Sequence, residues 1–180
     1  MTYDDNTKKQ FPSSHEMMVS RVWPDWKIIK RLGRGAYGVV YEVERDDVVR
    51  SRAALKIISF PQMESDLDAL RTNEGLTEPE VETYLNHVKE NFVREIQIMF
   101  SFRGLQNIVS VEDYKVLPRS EGPGFDILIR MELLTSLTEY MKENRLSEEE
   151  VIRLGTEICT ALEMCAKKHV IHRDVKPDNI

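Results

Sequence analysis

Three glycines, Gly33, Gly35 and Gly38, stand between two runs that each read as a β-strand. Residues 26–32 mix apolar and basic side chains, and Val39-Val40-Tyr41-Glu42-Val43-Glu44 is rich in β-branched and aromatic residues alternating with acids. In a dinucleotide-binding fold the G-x-G-x-x-G spacing lies between a strand and a helix. Here a second strand follows, which removes that reading and makes the glycines the turn of a hairpin. Such a hairpin can lie over phosphates and offer backbone N–H groups where side chains would block approach. A hairpin with no ligand is the plain alternative, and the glycines alone do not choose between them.

The rest of the chain extends this start. Asp46-Asp47 suits a turn, and residues 53–58 read as a third strand. Residues 59–80 are polar and acidic, with Pro61, Gly75 and Pro79, and read as a surface insertion with a short helix near 64–71. Thr77-Glu78-Pro79-Glu80 resembles a capping box with proline at the helix start. The helix it opens is expected to reach about residue 102, with Val81, Leu85, Val88, Phe92, Ile96 and Met99 at helical spacing. Strands are expected at 108–117 and 125–134, joined by a turn over 118–124. A short helix at 136–144 follows. A second capping box, Ser147 to Glu150, then opens a helix to about 168 with Val151, Leu154, Ile158 and Leu162 on one face. Three strands, a long helix, two strands and two helices predict an α+β lobe followed by the start of a helical one. Residues 1–22 read as a polar tail, 23–134 as the first lobe and 135–180 as the start of the second.

Charge narrows the partners. With 25 basic and 31 acidic residues the net charge is −6, which argues against a nucleic-acid surface and against an anionic-membrane surface. No apolar run approaches the roughly 20 residues that span a bilayer. Met1-Thr2-Tyr3-Asp4-Asp5 lacks the basic and apolar segments of a signal peptide, so a cytoplasmic location is expected. Cys159 and Cys165 fall on one predicted helix at a spacing that does not share a face, so they are read as small apolar packers rather than a disulfide.

Two sets of residues carry chemistry. Lys56 is flanked by apolar residues on the third strand and points either into a cleft beneath the glycines or along the sheet edge. Glu95 and Glu90 on the long helix are its candidate partners; Glu95 is preferred because it precedes Ile96 of the apolar stripe. The second set is His172-Arg173-Asp174-Val175-Lys176-Pro177-Asp178-Asn179-Ile180, which crowds a histidine, cations, acids and an amide into one loop. Asp174, Lys176 and Asn179 can orient a hydroxyl, neutralise a phosphate and hold a metal.

In this order the segments resemble a eukaryotic-like Ser/Thr protein kinase, from about Trp26 onward. Gly33, Gly35, Gly38 and Val40 match the glycine-rich loop, and Ala54-Leu55-Lys56 the A-x-K strand. Glu95 matches the glutamate of helix C. Met131 and Glu132 match the gatekeeper and first hinge residue, and Leu134 the hinge residue whose backbone meets adenine. His172 to Asn179 match the catalytic loop. The resemblance implies a five-stranded antiparallel sheet with helix C, then the first helices of the second lobe. It implies ATP and Mg²⁺ as cofactors and a protein Ser/Thr hydroxyl as acceptor. The glycines would cover the phosphates, and Lys56, held by Glu95, would contact the α- and β-phosphates. Val40, Ala54 and Met131 would line the adenine slot. Asp174 would take the hydroxyl proton, Lys176 would offset γ-phosphate charge, and Asn179 would be a metal ligand. The family's D-F-G motif does not occur before Ile180, so the 180-residue chain is expected to be inactive alone and to pair with a second copy through Leu154, Ile158 and Leu162. Two other readings stand beside this one: a non-catalytic nucleotide-binding or interaction module, and a small-molecule kinase. Lys176 speaks against the latter.

Overall fold

The computed structural model of the chain describes residues 13–35, 38–119 and 121–180, with the backbone alone at Glu64. Ala36 and Tyr37 of the glycine turn, and residues 1–12 of the expected tail, lie outside the described residues. Five strands form one antiparallel sheet in the order β1-β2-β3-β5-β4. They are β1 (Trp26–Gly35), β2 (Gly38–Arg45), β3 (Ser51–Phe60), β4 (Val111–Pro118) and β5 (Phe125–Met131). The helices are α1 (Ser14–Val22), α2 (Glu64–Thr72), α3 (Glu78–Ser101), α4 (Leu137–Glu143) and α5 (Glu148–Lys167), followed by a 3-10 turn at Pro177–Asn179. The α+β order and the five-stranded sheet expected from the sequence are both present.

Strand periodicity divides the side chains between two faces. Val43, Ala53, Leu55, Ile57 and Leu128 point to one face, where Val19 of α1 and Trp26 close over them. Ile58, Phe125, Ile127 and Ile129 point to the other, where Ile96 of α3 and Val111 complete the core. Leu55, Ile127 and Leu128 are wholly buried. Each such side chain contributes about 1.5–3 kcal/mol relative to exposure. The sheet is thus a layer between α1 and α3.

Helix α1 corrects the expectation of a tail over 1–22. Ser13 Oγ accepts from the Glu16 N–H at 3.2 Å, and the Glu16 carboxylate accepts from the Ser13 N–H at 2.5 Å. That reciprocal cap starts the helix, and Val19, 1% exposed, anchors it. The Trp23 indole donates to Asp113 Oδ2 at 2.8 Å, and His15 Nδ1 lies 2.7 Å from the Tyr41 hydroxyl. Burial lowers the His15 pKa, partly offset by the charge of Asp126. The Arg130 guanidinium lies over Trp26 at 4.3 Å and Trp23 at 5.4 Å, joining the chain entering β1 to β5.

Two further boundaries differ from expectation. The 59–80 segment is not wholly superficial: β3 runs to Phe60, Pro61 is buried, and Leu67 of α2 is 3% exposed against Val81 and Leu85. Strand β5 ends at Met131, not Leu134, because Glu132 turns to Ser110. Its N–H donates to the Ser110 carbonyl at 3.1 Å, and its carboxylate accepts from the Ser110 N–H at 2.5 Å. The cysteines differ from each other: Cys165 is buried and Cys159 exposed, and both are free thiols.

Candidate active site

The strand register assembles the first part of the site. Gly33 lies opposite Val40, Val40 opposite Lys56, and Lys56 opposite Ile129. One step along, Glu42 lies opposite Ala54 and Ala54 opposite Met131. The period of two therefore puts Val40, Ala54, Lys56, Ile129 and Met131 on one face, the face covered further along by α3. Ala54 is buried, while Val40, Lys56 and Met131 are half-buried. The result is an apolar strip beside a single ammonium.

The glycines are not equivalent. A Cβ added at Gly33 or Gly35 would meet nothing within 4 Å. Among the described residues no packing requires glycine at either position. At Gly38 a Cβ would stand 2.1 Å from the Ile57 carbonyl oxygen, so that glycine serves the hairpin's contact with β3.

Lys56 and Glu95 line the same cavity, about 370 Å³, with Val88, Phe92, Ile96 and Met131 around them. Burial lowers the Lys56 pKa, and the charge of Glu95 acts in the opposite direction. Among the described residues no ion pair within 4.0 Å joins the two, although each faces the cavity. Glu95 is exposed, as is Glu90, and only Glu95 lines the cavity with Lys56.

The terminal loop forms a second, exposed group. Lys176 Nζ lies 2.8 Å from Asp174 Oδ2, and Asn179 Nδ2 donates to both the Asp174 carbonyl and Oδ2 at 2.9 Å. The Asp174 N–H donates to His172 Nδ1 at 3.3 Å. The Lys176 ammonium, and then the Asn179 amide, hold the Asp174 carboxyl below its ordinary range. Arg173 has φ of +65°, the left-handed bend that turns the chain between His172 and Asp174. Ile180 accepts from the Leu137 N–H at 2.6 Å, which ties the loop to α4. Asn179 uses its nitrogen on Asp174, which leaves the amide oxygen as the acceptor available to a cation.

Beside the terminal loop lies a cavity of about 540 Å³, lined by Glu132 and Leu134 after β5, by Leu154 and Ile158 of α5, and by Asn179. Leu134 in the segment leaving β5 is 63% exposed. The role of the Glu132 carboxylate as a clamp on Ser110 was not legible in the sequence. An acid before Leu133-Leu134 carries no signal that distinguishes a backbone clamp from a solvated charge.

The protein kinase domain matches residues 26–180. The chain belongs to the protein kinase domain family. Among its relatives is the serine/threonine-protein kinase CLA4 of Saccharomyces cerevisiae (strain ATCC 204508 / S288c), 26% identical over 86% of this chain and 18% of the relative. The carbon catabolite-derepressing protein kinase of Secale cereale is 31% identical over 84% of this chain and 26% of that protein. Aurora kinase B of Mus musculus is 28% identical over 87% of this chain and 38% of that protein. The kinase chain therefore spans well under half the length of these relatives. No described helix of the kinase is long and apolar enough to cross a membrane.

Proposed function

We propose that this chain binds ATP with Mg²⁺ and contributes the nucleotide site and catalytic loop for phosphoryl transfer to Ser/Thr hydroxyls of proteins. The observation that carries the reading is the single sheet face on which Gly33, Val40, Ala54, Lys56 and Met131 fall by register. It supplies an apolar slot for a base, a cation for phosphates and open backbone above them. The residues present fit the nucleotide: Gly33 and Gly35 leave space that no side chain among the described residues fills, and Lys56 is a half-buried ammonium. They fit Mg²⁺ in part. No group of three His, Cys, Asp or Glu suited to a metal occurs among the described residues, so Asn179 would share the ion with phosphate oxygens. Bound there, Mg²⁺ supplies charge neutralisation between the phosphates.

In this reading Glu132 and Leu134 meet the base through their backbone, and Glu95 holds Lys56 toward the phosphates. Asp174 orients the acceptor hydroxyl and takes its proton, and Lys176 offsets charge on the transferred group. Lysine two places after Asp174 favours a protein Ser/Thr acceptor over a small molecule. A cytoplasmic setting accords with the free thiols.

Titration calorimetry with ATP, with and without Mg²⁺, tests the nucleotide reading. Binding that tightens with Mg²⁺ is expected; absence of binding under both conditions overturns it. Transfer of γ-phosphate to a protein by these 180 residues alone is expected to be undetectable, because a single amide is a poor metal site.

The chain also self-associates in this reading. Of Leu154, Ile158 and Leu162 only Leu162 is exposed, while Leu154 and Ile158 are half-buried beside the 540 Å³ cavity; Val151 and Ile152 at the start of α5, 53% and 62% exposed, add aliphatic surface to the same helix. Exposed aliphatic side chains on one helix favour a second copy. Sedimentation that stays monomeric at high protein concentration contradicts it.

A further inference from the structure

We propose that α2 is a latch on α3: Leu67, seated against Val81 and Leu85, holds the helix that carries Glu95 in place and so positions Glu95 toward Lys56. The proposal rests on the nucleotide-binding reading above for its functional consequence, but not for its mechanics.

The apolar stripe of α3 is served by two different partners. Its C-terminal half packs Ile96, with Phe92 and Met99, against Ile58, Phe125, Ile127 and Ile129 of the sheet. Its N-terminal half packs Val81 and Leu85 against Leu67, with Leu70 and Leu76 at the edge. Val81 is 1% and Leu85 5% exposed. Take α2 away and both lose their cover. The helix would then be held at one end only and free to pivot about Phe92 and Ile96.

The latch is also tied to the strand that carries Lys56. Strand β3 ends at Phe60, and α2 begins at Glu64. Phe60 touches both cores, stacked on Phe125 at 5.6 Å between centroids and tilted against Phe92 at 6.5 Å. The Pro61 carbonyl accepts from Arg119 at 2.5 Å, fixing the link between strand and helix. At the far end of α2, Arg71 forks onto Glu78, Nε to Oε1 at 2.8 Å and Nη2 to Oε2 at 3.2 Å, where α3 starts. A packed and covalent path thus runs from Lys56 through β3 and α2 to α3 and Glu95. Lys56 and Glu95 share a cavity without an ion pair within 4.0 Å, so whether they meet depends on where α3 is held.

The test uses the full chain. Spin labels at Glu82→Cys and Lys115→Cys, in a Cys159→Ser, Cys165→Ala background, report the distance from the start of α3 to β4 without nucleotide. Leu67→Ala is expected to broaden or lengthen that distance; an unchanged distribution overturns the latch. Should Leu67→Ala fail to fold, Arg71→Ala cuts the exposed clamp alone, and the same distance decides.

Mg-ATP affinity then tests the positioning. Leu67→Ala is expected to weaken binding about tenfold by lowering the fraction of chains with Glu95 in place. In a Glu95→Gln background it is expected to change affinity little. Equal losses in both backgrounds would show that α2 only stabilises the fold, and would overturn the positioning role. Failure of the parent chain to bind Mg-ATP refutes the nucleotide reading, while the label distance still judges the latch.

Discussion

Gly38→Ala costs the fold about 3 kcal/mol, as expected where an added carbon forces a backbone to move. The new Cβ would stand 2.1 Å from the Ile57 carbonyl oxygen and 3.1 Å from the Ile58 Cα. Both contacts are backbone of the central strand, so no side chain can swing aside. The pairing of Val39 with Ile57, which starts the β2–β3 ladder, has to part. For a domain of this size the loss lowers the melting temperature by ~6–12 °C. Gly35→Ala is the matched contrast, because nothing lies within 4 Å of its Cβ. Its expected melting temperature is close to that of the parent, while its affinity for Mg-ATP falls. Thermal melts of the two variants separate a glycine kept for the sheet from one kept for a ligand. Equal melting temperatures for both would contradict the division.

That division also marks what the sequence could reveal. The glycine spacing and the strands on each side placed the hairpin, but not which glycine faced β3 and which faced open space. Helix α3 was legible because Val81, Leu85, Phe92 and Ile96 repeat at helical spacing over 24 residues. Helix α1 was not. It has nine residues, and Val19 is its only buried one, so its periodicity is too short to stand out from a polar tail. Its Ser13-to-Glu16 cap was present in the sequence and was the signal to use. In the 59–80 segment, an acidic composition hid Leu67, because one apolar residue fixes a short helix once Val81 and Leu85 offer it a surface. The shared cavity of Lys56 and Glu95 was legible only by resemblance. Their 39-position separation carries no periodic signal, and only the place of Glu95 before Ile96 set it above Glu90.

Lys56→Met is expected to separate binding from stability. Burial is the larger influence on Lys56 and lowers its pKa, with the Glu95 charge a smaller opposing one. The folded chain therefore holds this proton less tightly than the unfolded chain does. At neutral pH the ammonium is charged in both states, so the unfavourable burial of the charge is present in full. It is relieved only as pH rises through the lowered folded pKa toward the ordinary lysine value. Methionine fills similar volume without that charge, so at pH 7 the variant is expected to melt at or above the parent temperature. Part of the parent's deficit should vanish in alkaline buffer, narrowing the difference between the two. Binding moves the other way. A charge-assisted contact with phosphate contributes about 1.5–3 kcal/mol, so the affinity for Mg-ATP is expected to fall about 10- to 100-fold. Melts from pH 7 to 10 together with calorimetric titration check both halves. A variant less stable than the parent at pH 7 would mean that the attraction of Glu95 outweighs the burial of the Lys56 ammonium, the reverse of the order expected here. Unchanged affinity would remove Lys56 from the nucleotide site altogether.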